Sequence, residues 1–191
     1  MGDPTESHWV GVKRILRYLK GTSNYGLVYV GGDDDKLIGY SDSDWAGDVV
    51  TRRSTSGYVF QFGKSTVSWS SRRQATVAKS STEAEYVALS MATQEAIWLR
   101  RLLDNYGVTI NAATVIHEDN QGAIELSRNP KHHNRTKHID VSYHFTRERI
   151  STKEIDVRYV PTGDNTADIM TKGLGRVAYE KHRDSLGVRG C

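Results

Sequence analysis

LIGYSDSDWAGDVVTRRSTSGYVFQFGKSTVSWSS, residues 37–71, holds three short runs whose side chains alternate between apolar and polar. Alternation with period two is the signature of strands with one face buried. The first run covers Leu37 to Asp44. The second, SGYVFQF, puts Tyr58, Phe60 and Phe62 on one face. The third, STVSWS, follows the Gly63-Lys64 turn, so the three read as an antiparallel meander. The next residues change period. From Ser81 to Tyr106 the apolar positions recur every three or four residues, which predicts a long helix closed by Gly107. Ser80 and Glu83 have capping-box spacing at its start. Further on, ATVIHED (113–119) predicts a fourth strand and Gln121 to Ser127 a short helix stopped by Pro130. Ile139 to Ile150 reads as helix, EIDVRYVP (154–161) as a fifth strand, and DNTADIMTKGL (164–174) as a last helix capped by Asp164 or Asn165. Three sequential strands followed by helical crossovers imply an α/β protein with a mixed five-stranded sheet and helices on both faces. Before the sheet, His8 to Leu19 reads as an amphipathic helix and GLVYV (26–30) as a short strand.

The chain has 191 residues, formal net charge +3 and one cysteine, Cys191. A disulfide framework and an all-thiolate zinc site within one chain are excluded. No apolar run approaches a membrane span, and no membrane partner is expected. The positive charge is clustered. Lys13, Arg14, Arg17 and Lys20 crowd the first helix. Arg72, Arg73 and Lys79 precede the long helix. Arg128, Lys131, Arg135 and Lys137 lie with His132, His133 and His138. Such clusters suit phosphates. The histidines could suggest zinc, but without a cysteine or a helical His pair they read as part of a basic loop.

The carboxylates are more informative. Ile38, Tyr40, Asp42 and Asp44 share one face of the first strand, and periodicity alone does not choose between the two aspartates. On the long helix, steps of three and four from Glu85 reach Leu89, Ala92, Ala96, Leu99 and Leu103, so Glu85 heads the buried stripe. A carboxylate there is costly unless paired or bound to metal. Glu83 is ~200° of helical rotation away from facing with Glu85, counting two residues, and has the capping role. Asp119 ends the fourth strand on the face of Val115 and His117, where a helix N-cap is the plain alternative. Asp168 falls in the first turn of the last helix, where favourable dipole placement is the plain alternative. Taken together, four carboxylates and no soft ligand suit Mg2+ or Mn2+.

The stretches GYSDSDWAGD, RRSTSGYVFQFG, SWSSRRQATVAKSSTEAEYVAL, EDNQGAI, RTKHIDVSYHFTRE and VPTGDNTADIMTKGL together resemble the ribonuclease H domain that ends copia-type (Pseudoviridae-like) retrotransposon Pol polyproteins. HWVGVKRILRYLKGT (8–22) resembles the segment joining the reverse transcriptase to that domain. The resemblance covers nearly the whole chain. It implies a connecting segment over 1–34, a ribonuclease H domain over 35–175 and a C-terminal tail over 176–191. The Asp-Glu-Asp-Asp quartet of type 1 ribonucleases H falls on Asp42, Glu85, Asp119 and Asp168. The histidine that many relatives carry in the loop after the fifth strand is missing from VPTGDN (160–165).

What the resemblance implies is hydrolysis of the RNA strand of an RNA–DNA hybrid with two Mg2+ ions, Mn2+ being the substitute. Asp42 would bridge both ions, Asp168 would serve the water-activating one, and Glu85 and Asp119 the one facing the leaving oxygen. Arg72, Arg73, Lys79, Ser81, Thr82, Asn120 and Gln121 are the candidate nucleic-acid contacts, with helix capping the plain alternative for the last four. The implied partners are the hybrid and the reverse transcriptase domain of the same polyprotein. The isolated domain is expected to be a monomer, acting in the cytoplasm within retrotransposon particles, with the nucleus as the other location. Two readings compete. A 3′–5′ exonuclease of this fold would have Asp-x-Glu on the first strand, where this chain has Asp42-Ser43-Asp44. A catalytically silent module would bind hybrid without cutting it.

Overall fold

The computed structural model describes residues 4–31, 36–129 and 137–190, with side chains of the last stretch from 144 onward. Helix α1 spans Glu6–Gly21, and β1 is Tyr25–Leu27. The meander follows as β2 (Leu37–Asp44), β3 (Thr55–Phe62) and β4 (Ser65–Arg73). Then come α2 (Ser81–Asn105), β5 (Thr114–Glu118), α3 (Gln121–Arg128), α4 (Lys137–Ser151) and β6 (Ile155–Tyr159). A 3-10 turn at Thr162–Asp164 leads to α5 (Asp168–Thr171), α6 (Arg176–Ser185) and β7 (Val188–Gly190). The expected basic loop with Lys131, His132, His133 and Arg135, and the side chains of Lys137 and His138, lie outside the described residues.

The main sheet has five strands in the order β4-β3-β2-β5-β6. β2–β3 and β3–β4 pair antiparallel, while β2–β5 and β5–β6 pair parallel. This is the expected mixed sheet. The core lies between it and α2, with Leu37, Phe60, Ile116, Ile155 and Val157 from the strands meeting Leu89, Ala92, Ala96 and Leu99 of the helix. Gly39 admits the ring of Phe60, since a Cβ there would lie 2.5 Å from the Phe60 Cε1. The other face of the sheet carries α5. No helix among the described residues is long and apolar enough to cross a membrane.

Three elements differ from the sequence expectation. β4 runs on to Arg73, because Ser70–Arg73 continue the backbone ladder with Thr55–Tyr58. Its side chains there are polar and exposed on an edge strand, so alternation does not mark it. Arg72 and Arg73 thus end a strand rather than lie in a loop. The last helix is a single turn. Ala167, not Asp164 or Asn165, stands at its N-cap, because the buried Asn165 side chain turns inward and donates to Ser41 O at 2.8 Å. Finally, residues 176–190 form α6 and β7. Gly187, at φ 78°, reverses the chain after α6, and β7 then pairs antiparallel with β1. The end of α6 fastens this small sheet to the meander: Thr66 Oγ1 donates to Leu186 O at 2.9 Å, and Gln61 Nε2 to Ser185 O at 2.7 Å.

Candidate metal centre

Three elements bring carboxylates to one point. Asp42, near the end of β2, is fully buried. Glu85 sits one turn into α2, and Asp119 follows β5. Ligand oxygens of Asp42, Glu85 and Asp119 all lie within 4.8 Å of one another. Asp44, two residues on from Asp42, is half-buried and stands outside this group.

Local structure explains which acids reach the cluster. Ser80 Oγ accepts from Glu83 N at 3.2 Å, and Glu83 Oε2 accepts from Lys79 N at 2.9 Å. Glu83 is therefore engaged at the helix start, while Glu85 points toward the strands. At α3 the cap is Asn120, whose Oδ1 accepts from Ala123 N at 3.0 Å. That leaves the Asp119 carboxylate free of capping. The starts of α2 and α3 meet closely: a Cβ on Gly122 would lie 3.0 Å from Thr82 Oγ1.

Asp168 approaches Asp42 from the opposite face of the sheet, on α5. Lys172 Nζ stands between them, donating at 2.9 Å to Asp42 Oδ1 and at 2.9 Å to Asp168 Oδ1. Thr171 Oγ1 donates to the other oxygen of Asp42. Gly57 makes this approach possible. It pairs with Asp42 across β2–β3, and a Cβ there would lie 2.7 Å from both Met170 Cβ and Thr171 Cγ2. Gly57→Ala is therefore expected to push α5 off the sheet. The overpacking costs about 1–3 kcal/mol. Thermal melting checks this; a variant as stable as the parent refutes the packing argument.

A further carboxylate, Glu118, lies behind the cluster. It is fully buried on the core face of β5, where Ser41 Oγ donates to its Oε2 at 2.6 Å and Asn120 N to its Oε1 at 3.2 Å. Burial drives its pKa well above the carboxylate range. Burial, followed by the charges of Glu118, Asp42 and Asp119, pushes Glu85 up to about 10. Burial also raises Asp168 to about 6, although the hydrogen bond from Lys172 opposes the shift. Burial works against the Lys172 charge, but Asp42 and Asp168 outweigh it and raise the lysine pKa.

These shifts fix a sign. Glu85 and Asp168 keep their protons in the folded, metal-free protein at pH values where the unfolded chain has lost them. Their contribution to stability is thus complete below the ordinary carboxylate pKa values of 3.8 and 4.5, and it declines as pH rises toward 6 for Asp168 and 10 for Glu85. A divalent ion needs the ionised carboxylates, so binding expels protons and strengthens with pH. In EDTA the melting temperature is expected to fall between about pH 5.5 and pH 8.5, and the rise on adding Mg2+ is expected to be larger at the higher pH. A Mg2+ effect that is the same at both values refutes the assignment of the shifted groups to ion binding.

The donor set fits a hard divalent ion. Three carboxylates converge, and Glu85 Oε2 is buried with no hydrogen-bond partner among the described residues. Oxygen-only ligation of this kind suits hard divalent cations such as Mg2+, Mn2+ and Ca2+. The expected nucleic-acid contacts are arranged around this centre unevenly. Arg73 Nη1 pairs with Asp48 Oδ2 at 2.7 Å, a contact that anchors the 46–53 turn. Arg72, Lys79, Ser81 and Gln121 are exposed, Thr82 is half-buried, and the Asn120 side chain is occupied by its cap. Sequence reasoning missed Glu118, Thr171, Lys172 and the inward turn of Asn165. A signal for Lys172 was present, since it stands four residues after Asp168, one helical turn on.

The architecture is that of the ribonucleases H. The chain superposes on the N-terminal RNase H domain of a Mycobacterium tuberculosis protein with TM-score 0.52 and 17% identity, over 78% of this chain and 97% of that one. It superposes on LC11-RNase H1, isolated from compost, with TM-score 0.52 and 19% identity, over 77% and 97% of the two chains. In sequence it is 42% identical over 185 residues to the retrovirus-related Pol polyprotein from transposon RE2 of Arabidopsis thaliana, covering 97% of this chain. It is 43% identical over 186 residues to the corresponding polyprotein from transposon TNT 1-94 of Nicotiana tabacum, again covering 97%. The secreted RxLR effector protein 161 of Plasmopara viticola is 60% identical over 97 residues, 51% of this chain and 68% of that protein. No family model matches. Over 97% of its length the chain is homologous to Pol polyproteins of copia-type transposons, and it spans 13% and 14% of the length of the two transposon relatives.

Proposed function

We propose that this protein hydrolyses the RNA strand of RNA–DNA hybrids, leaving a 5′-phosphate and a 3′-hydroxyl, during reverse transcription of a retrotransposon. The observation that carries the reading is the convergence of Asp42, Glu85 and Asp119 around the unpartnered Glu85 oxygen. Asp42, Glu85, Asp119 and Asp168 would hold two divalent ions. Bound there, such ions supply an activated water and stabilise the leaving oxygen. Asp42 belongs to both halves of the cluster, being gathered with Glu85 and Asp119 and linked through Lys172 to Asp168.

The rest of the chain holds that geometry and meets the nucleic acid. Gly57 and Asn165 fix α5 against β2, so that Asp168 faces Asp42. The starts of α2 and α3 flank the cluster. Ser81, Thr82 and Gln121 there suit the 2′-hydroxyls of a wide minor groove, which tell RNA from DNA without reading sequence. Asn120 contributes by shaping this rim through its cap. Arg72 and Lys79 offer charge to the phosphates, and Arg73 does so as part of its pair with Asp48. Phosphate contacts position a duplex but do not read its sequence. The partner in the polyprotein is the reverse transcriptase domain, joined through the segment 1–34.

Incubation with an end-labelled RNA–DNA hybrid and Mg2+, beside RNA–RNA and DNA–DNA duplexes of the same sequence, tests the proposal. Cleavage confined to the RNA strand of the hybrid is expected. Equal cutting of all three duplexes, or tight hybrid binding without any cutting, overturns it; the second result identifies a silent binding module.

A further inference from the structure

Asp42 separates two halves of the acidic cluster that differ in one respect. Toward Glu85 and Asp119 the carboxylates face one another within 4.8 Å, and Glu85 Oε2 has no hydrogen-bond partner among the described residues. Toward Asp168 a cation is already in place. Lys172 Nζ contacts Asp42 Oδ1 and Asp168 Oδ1 at 2.9 Å each, in the manner of a bridging ion. The lysine side chain is 32% exposed, Asp42 is 0% exposed and Asp168 8%. Two such buried carboxylates side by side are costly without a compensating charge, and a lysine ammonium is a compact charge on a flexible stem. Thr171, the preceding residue, completes the arrangement by donating to the other oxygen of Asp42. Lys172 reaches this place because Gly57 lets α5 sit directly on the sheet.

We propose that Lys172 is a built-in counter-cation that occupies the Asp42–Asp168 half of the centre and must be displaced before a divalent ion binds there. The inference rests on the reading of the four carboxylates as a metal centre. Its consequence is ordered binding. The first ion enters the Asp42–Glu85–Asp119 half, where no lysine stands between the carboxylates. The second must break two charge-assisted hydrogen bonds, so its apparent affinity is lowered by the small fraction of molecules in which Lys172 has swung away.

Calorimetric titration with manganese chloride, together with melting curves in EDTA and in saturating manganese, tests this on the parent protein, on Lys172→Met and on Lys172→Met combined with Asp168→Asn. The parent should bind one ion well and a second more weakly. In Lys172→Met the second ion should bind roughly tenfold tighter or better, and the first should be unchanged. The same variant should melt lower than the parent in EDTA and level with it in saturating manganese. A Lys172→Met protein that folds only when manganese is added also supports the proposal. In the double variant the gain in second-ion affinity should vanish. An unchanged or weaker second ion in Lys172→Met overturns the proposal while leaving the metal centre standing. A variant that stays unfolded in saturating manganese also overturns it, because the ion then fails to replace the lysine. If the parent itself binds no manganese, the metal reading falls and this inference falls with it.

Discussion

Asp42→Asn is expected to abolish hybrid cleavage while the protein stays folded. Asp42 is the residue common to both halves of the centre, and it is completely buried. On the proposed two-ion reading, losing its charge would weaken a ligand of each ion, and metal-held charge stabilises a phosphoryl transition state by several kcal/mol. A loss of that size corresponds to about 1,000-fold or more in rate. The fold should tolerate the change because the amide keeps the shape of the carboxyl: its oxygen can still accept from Lys172, and its NH2 can donate to the Thr171 hydroxyl. The negative charge of Asp42 also helps raise Glu85, so removing it relieves repulsion. Cleavage measured beside circular dichroism separates chemistry from folding. Activity within tenfold of the parent would sink the assignment.

Glu85→Gln is expected to be nearly as damaging, for a different reason. Without metal, burial already keeps Glu85 protonated at neutral pH, and glutamine resembles a protonated glutamate in size and polarity. The melting temperature in EDTA should therefore change little. What disappears is the ability to ionise when a divalent ion arrives, so Mg2+ should no longer raise the melting temperature by the parent's amount, and cleavage should fall by about 100-fold or more, the scale of a lost ion-centred interaction. Glu83→Ala is the contrast. Glu83 accepts from Lys79 N and helps start α2, so its loss should cost about 1 kcal/mol with cleavage largely kept. If Glu83→Ala removes cleavage and Glu85→Gln does not, the two glutamates have been given each other's roles.

The main sheet was legible because its strands declare themselves locally. Leu37 to Asp44 alternates, and Val115 and His117 share a face with Asp119, so the two parallel strands could be placed without knowing their neighbours. The position of Glu85 followed from the apolar stripe that begins at Leu89. Other features depend on contacts that no local pattern announces. Asn165 looks like a helix cap, and only the approach of β2 makes its side chain turn toward Ser41 O. Glu118 alternates with Thr114 and Ile116, which marks it as core-facing, but a buried acid is expected only once Ser41 and Asn120 N are seen to satisfy it. Asp119 and Asn120 compete for the cap of α3; Asn120 takes it, and the Asp119 carboxylate joins Asp42 and Glu85. Lys172 is the clearest case. Its spacing from Asp168 is that of an ordinary surface pair along a helix, whereas α5 is one turn long and presses the pair against Asp42.

The pairing of β1 with β7 has a consequence in time. Leu27 and Val188 stand ~160 residues apart along the chain, and closing a loop of that length costs entropy before any contact compensates for it. Three residue pairs recover little on their own, so the strands have no reason to meet until the five-stranded sheet and α6 have brought them together. During synthesis Tyr25–Leu27 is made before Val188–Gly190 and waits without its partner while the residues between them are added. The clasp is then a late closure, added to a centre whose carboxylates were already assembled by shorter-range contacts.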